Sequence, residues 1–197
     1  IPIISWCGDI EQGAMRQAEN LTELPVAFHH VALMPDCHQG FGMPIGGVIA
    51  VQDAVIPNAV GVDIGCGMCA VRTTLDSISY DDLRGAVSDI KAAVPRGFDH
   101  HKAAVAWDGF DGAPDIPVIQ RELASARRQI ATLGGGNHFI EIQRGDDDRI
   151  WFMIHSGSRN FGYKIAREYH KKAAALCKKR RTSLPDRDLA WIPLNDS

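Results

Sequence analysis

Glycine-dense turns that carry metal-ligating or charged side chains most limit the folds open to this chain. Four segments show the pattern: "MPDCHQGFGMPIGG" (34–47), "AVGVDIGCGM" (59–68), "LGGGNHFIE" (133–141) and "HSGSRNFG" (155–162). Glycine allows backbone conformations that other residues avoid, so such turns reverse the chain sharply and aim neighbouring side chains at one point. They also cut the apolar runs into strand-sized pieces broken by Gly or Asp, too short to span a membrane as a helix.

The pieces between the turns have readable periods. "HHVALM" (29–34), "GGVIAVQ" (46–52) and "CAVRTTL" (69–75) read as strands. Residues 10–20 read as a short amphipathic helix. Ser79 is placed to cap a second helix, in which Leu83, Ala86, Val87, Ile90 and Val94 recur at helical spacing until Pro95. Residues 96–117 are aperiodic and rich in Gly, Pro, His and Asp, a loop long enough to serve function. Ile119, Leu123, Ala126 and Ile130 mark a further helix. "HFIEIQ" (138–143) and "IWFMIHS" (150–156) flank "RGDDD" as a hairpin, and a last helix is expected over 161–180. Strands and helices mix without strict alternation, which favours α+β: a mixed β-sheet core with flanking helices. At 197 residues and 45% hydrophobic, the chain can bury a sizeable core as a single catalytic domain, 1–197.

A net charge of −3 excludes a global pull toward nucleic acid or membrane, so an anionic partner must be held by a local patch. Cys7, Cys37, Cys66, Cys69 and Cys177 are an odd set without disulfide spacing, which reads as reduced and hence cytoplasmic.

Asp63 and Cys66 alone are ambiguous, since a tight turn with a buried cysteine explains them too. His138 and His155 change the balance. If 138–143 pairs with 150–156, the two histidines become neighbours at one end of the ladder. Asp63, Cys66, His138 and His155 then form a metal-ligand set suited to zinc or manganese, and a bridging thiolate would allow two ions. "HSGSR" reads either as an anion cradle with Arg159 on a phosphate, or as a helix cap by Ser156 or Ser158 with Arg159 in solvent. Asp36 and His38 either orient ligands or only shape a loop. The cations Lys171, Lys172 and Lys178–Arg181 suit a helix C-terminus.

The four segments, in this order, resemble the RtcB family of RNA ligases, and the likeness extends to "LAWIPL" (189–194). The resemblance implies an RtcB-like α+β fold and a GTP- and manganese-dependent ligase. Such a ligase joins RNA 2′,3′-cyclic phosphate or 3′-phosphate ends to 5′-hydroxyl ends through a guanylylated histidine. It implies two Mn²⁺ ions, with Cys66 bridging, Asp63 and His138 on one ion and His155 on the other. It places Asn137, His138 and Ser156 at the guanylate, and gives Arg159 and Asp36 catalytic roles. The family's guanylylated histidine and one further metal-binding histidine have no counterpart in this sequence. The chain is therefore expected to be the N-terminal portion of such a ligase, incomplete on its C-terminal side and inactive alone. Use of an activating helper protein stays open. Two alternatives remain: a metal-dependent phosphoesterase on the same ligands, and an inactive truncated scaffold.

Overall fold

The computed structural model describes residues 1–195. In chain order its elements are β1 (Ile3–Ser5), α1 (Gln12–Thr22), β2 (Ala27–His38), β3 (Ile45–Val51), β4 (Ala54–Val55), α2 (Pro57–Val60), β5 (Gly67–Arg72), α3 (Tyr80–Ala93), α4 (Pro117–Gln129), β6 (Phe139–Arg144), β7 (Ile150–Ser156), α5 (Phe161–Arg180) and β8 (Ile192–Pro193). The class is α+β, as the mixed periods predict. The strands are spread over two three-stranded sheets and one two-stranded pair instead of a single core sheet. No helix among the described residues is long and apolar enough to cross a membrane. All five cysteines are free.

The chain divides into two compact units, one of Ile1–Val62 with Ala166–Ser197 and one of Asp63–Ile165. In the first, β2 lies between β1, parallel to it, and β3, antiparallel. Ala14, Ala18 and Leu21 recur along one face of α1, and they pack with Val31 and Leu33 of β2 and with Leu189. Leu21, Leu33 and Leu189 are fully buried. Gln17 fixes the turn after β2 from both sides: its Nε2 donates to the Gly40 carbonyl at 2.7 Å, and its Oε1 accepts from the Gly40 N–H at 2.9 Å. Leu33→Ala, which empties a fully enclosed site, is expected to cost about 2–5 kcal/mol in denaturant unfolding.

In the second unit the sheet order is β5-β7-β6, all antiparallel. The β6–β7 hairpin forms where its sequence places it, with Gly145 N–H donating to the Arg149 carbonyl at 2.8 Å. Ser79 caps α3 by accepting from the Asp82 N–H at 3.1 Å. Pro117 stands in the first turn of α4, where its missing N–H costs nothing. Loop 96–117 is tied to α4 by His101 N–H to the Arg128 carbonyl (2.9 Å) and Val105 N–H to the Arg127 carbonyl (2.7 Å).

The hairpin tip holds more than an acidic run suggests. Asp147 accepts from Trp151 Nε1 at 3.0 Å, from Arg72 Nε at 2.6 Å and from the Arg149 N–H at 3.1 Å. It thus joins the tip to β5. The Trp151 and Arg72 hydrogen bonds pull its carboxyl down to about 2. Because the folded value lies below the ordinary carboxylate value, the stability contributed is present above that value and is lost as pH falls through about 2. A carbon-detected NMR titration should find Asp147 near 2, and Arg72→Ala should move it up toward the ordinary range.

Candidate functional site

The chemistry-bearing residues of the second unit gather where β6 and β7 begin and end. Asp63 opens a four-residue turn in which the Cys66 N–H donates back to the Asp63 carbonyl at 3.0 Å. Gly65 occupies the third position with φ +87°. That value is required in a type II turn and is strained for any residue with a side chain. Glycine is therefore what lets Asp63 and Cys66 flank one reversal. Cys66 is exposed, not buried, and leads into β5, whose Gly67 and Met68 pair with Ser156 and His155.

Across the next ladder Phe139 pairs with His155. His138, one residue earlier, is the neighbour that the hairpin pattern predicts, with ring centroids 4.9 Å apart. Each ring is fixed from behind. His138 Nδ1 lies 2.6 Å from the Gly135 carbonyl, and His155 Nδ1 lies 3.1 Å from the Asn137 carbonyl. A carbonyl oxygen only accepts, so Nδ1 carries the hydrogen in both rings. In the neutral rings, Nε2 is then a lone pair. His138 Nε2 stands 3.0 Å from Asp63 Oδ2. A lone pair and a carboxylate at that separation repel each other, and either a proton or a cation must hold them. Backbone-anchored Nδ1–H with Nε2 presented forward is how metal-binding imidazoles are oriented.

The other carboxylate oxygen, Asp63 Oδ1, accepts from the Ser158 N–H at 3.2 Å and from the Ser158 hydroxyl. Ser158 Oγ in turn accepts from the Gly162 N–H at 3.2 Å, which satisfies a free donor in the first turn of α5. Gly134 permits the assembly to close. At φ +108°, a Cβ there would stand 2.9 Å from both His138 Nδ1 and Arg159 Nη1.

The same family of contacts lines a cavity of about 630 Å³, bounded by Asp63, Phe98, Asn137, His138 and Arg159 among others. Among the described residues, no three histidine, cysteine or carboxylate side chains converge as a group able to hold a metal ion. What the fold brings together is the Asp63–His138 pair with His155 ring to ring. Cys66 is tied to this group through its turn and ladder position.

Comparison with known proteins bears on what this arrangement serves. The family model described as "tRNA-splicing ligase RtcB" matches residues 17–111 and 108–197. The chain belongs to the RtcB family. It is 34% identical to the RNA-splicing ligase RtcB of Escherichia coli K12, over 97% of this chain and 52% of that protein. It is 31% identical to the tRNA-splicing ligase RtcB of Pyrobaculum aerophilum, over 92% and 48%, and 30% identical to that of Aeropyrum pernix, over 99% and 53%. The chain thus spans about half the length of these relatives.

Several of the expected site residues are engaged by partners within the chain itself. The anion cradle at "HSGSR" has its amides committed, Gly157 N–H to the Leu133 carbonyl at 3.0 Å and Ser158 N–H to Asp63. Of the two serines expected to cap, Ser158 does so. Ser156 ends β7 and lines, with Trp107, Phe110 and Phe161, an adjoining cavity of about 620 Å³ that shares Gln129, Gly157 and Arg159 with the first. Arg159 is not in solvent. Its Nε donates to Thr132 Oγ1 at 2.6 Å, and its Nη2 donates to the carbonyls of Gly97 at 2.8 Å and Asp99 at 3.3 Å. Burial lowers its pKa, against the pull of the Asp63 charge. Arg159 and Asn160 both have positive φ, +57° and +67°, a strained pair at the entrance to α5.

Asn137 lines the cavity and lends its carbonyl to His155. Asp36 belongs to the first unit, on β2, where its carbonyl accepts from His38 Nδ1 at 2.7 Å. Phe98, Gln129 and Thr132 border the site and carry no sequence signal beyond an aromatic beside a glycine in a polar loop. Ser158→Ala removes the hydroxyl shared by Asp63 and the α5 terminus. It is expected to cost about 1–2 kcal/mol in denaturant unfolding, and Ser158→Thr should restore much of this.

Proposed function

We propose that the second unit carries the metal- and guanylate-binding part of an RNA ligase that joins a 2′,3′-cyclic phosphate or 3′-phosphate end to a 5′-hydroxyl end, using GTP. The observation that supports this reading most is the pair of imidazoles with Nδ1 held by backbone carbonyls and Nε2 left forward, His138 facing the Asp63 carboxylate, in a chain of the RtcB family. By donor type the set suits zinc as well as manganese, and the family favours manganese: Asp63 supplies oxygen, His138 and His155 nitrogen, and Cys66, on the same turn as Asp63, sulfur. Two Mn²⁺ ions held there would neutralise charge developing on a phosphoryl group and orient the attacking and leaving oxygens.

The remaining roles fall to the chain's own residues. Ser158 holds Asp63 in place, and the carbonyls of Gly135 and Asn137 hold the two rings. Arg159 braces the cavity wall and keeps Nη1, which makes no hydrogen bond among the described residues, for a phosphate oxygen. Asn137 meets the guanylate. The histidine that takes up GMP is none of the histidines in this sequence, so residues 1–197 alone bind metal and do not seal RNA.

Native mass spectrometry tests the reading. The chain should gain manganese, Cys66→Ala should lose most of it, and GTP should leave no covalent GMP adduct. A GMP adduct, or sealing of RNA ends by the chain alone, would contradict the placement of the nucleophile. Cleavage of a phosphoester without GTP would favour a metal-dependent phosphoesterase.

A further inference from the structure

Phe98 is fully exposed, with a relative accessibility of 104%. Single exposed apolar side chains are common and by themselves mean little. Two features set this one apart. First, it borders the cavity that also contains Asp63, Asn137, His138 and Arg159. Second, its backbone is braced on both sides by one guanidinium. Arg159 Nη2 takes the carbonyl of Gly97, the residue before, and that of Asp99, the residue after. The turn is closed further by Gly97 N–H to the Gly134 carbonyl at 2.8 Å and Asp99 N–H to the Arg96 carbonyl at 3.0 Å. Gly97 itself has φ +62°, which suits glycine at that bend. The ring has no aromatic partner among the described residues, although Trp107 and Phe110 pair with each other in the same loop. A fixed backbone thus carries an open aromatic face at the rim of a polar, charged cavity.

We propose that Phe98 is a stacking platform for the nucleobase of a nucleotide whose phosphate enters the Asp63–His138 cavity. The inference rests on the ligase reading and adds a base-binding element to it. Stacking on an aromatic face accepts any base, because every base has a π face. A rigid turn keeps the ordering cost of such a contact low, since little backbone freedom is lost on binding. The base comes either from the guanine nucleotide or from the RNA end, and the test separates these sources. Arg159 acts here as a positioning residue, through the carbonyls on either side of Phe98.

Isothermal titration of the chain with Mn²⁺ present tests the proposal with four probes. They are GMP, ribose 5-phosphate, a short RNA with a 3′-phosphate, and the same RNA with an abasic terminal nucleotide. Because Phe98 packs against little, Phe98→Ala should leave the melting temperature unchanged. It should weaken the base-bearing probes about tenfold and leave the base-free probes as they were, and Phe98→Tyr should retain wild-type affinity. Loss confined to GMP assigns the platform to guanine, and loss confined to the RNA pair assigns it to the RNA end. Equal wild-type affinity for base-bearing and base-free probes would overturn the stacking proposal and leave the ligase reading standing. So would equal weakening of both by Phe98→Ala. Failure of all four probes to bind the wild type would overturn both.

Discussion

The Asp63 carboxylate joins three segments that are distant in sequence. Its Oδ1 accepts from the amide and hydroxyl of Ser158, and its Oδ2 faces His138 Nε2 at 3.0 Å. Through Ser158 it reaches the first turn of α5, and through His138 it reaches the start of the β6–β7 hairpin. A carboxylate accepts several hydrogen bonds at once and keeps its charge, so one side chain can fix the geometry and supply the negative pole of the site. The strained backbone at Arg159 and Asn160 and the close approach at Gly134 surround this group. Strain of that kind persists only where neighbouring contacts over-determine it.

The arrangement separates orienting contacts from reacting ones. Backbone carbonyls hold the far sides of both imidazoles, so the near nitrogens point away from the backbone, that of His138 toward Asp63 Oδ2. Arg159 spends Nε and Nη2 on Thr132, Gly97 and Asp99 and so gives the cavity a firm wall. Burial without a full complement of opposite charge lowers its pKa, yet a guanidinium stays charged across the working range. The positive charge and the negative carboxylate therefore line one cavity.

Local patterns were legible wherever short-range physics decides the outcome. The alternation of "HFIEIQ" and "IWFMIHS" sets the ladder, and the ladder makes His138 and His155 neighbours. Ser79 caps α3 because an acceptor is needed there whatever surrounds it. The turn at Asp63–Cys66 follows from Gly65. What could not be read depends on contacts far apart in sequence. Ser158 lies 95 residues from Asp63, and no local period announces that the amides of a glycine-rich "cradle" are already engaged. Arg159 reads as a phosphate clamp from its neighbours, yet its main partners are two carbonyls about 60 residues upstream. Asp147 looks like one of three equivalent acids at a hairpin tip until Arg72 and Trp151 single it out. Phe98 carries meaning only because of the cavity beside it.

The proposed site has both imidazoles presenting Nε2 to manganese, His138 with Asp63 on one ion and His155 on the other. Pulsed electron paramagnetic resonance of Mn²⁺ added to the chain tests it most directly. The account predicts nitrogen couplings from directly bound imidazole, reduced by His138→Ala and by His155→Ala, and weaker binding overall in Asp63→Ala. Manganese held with no nitrogen couplings, or with couplings unchanged in both histidine variants, would contradict it.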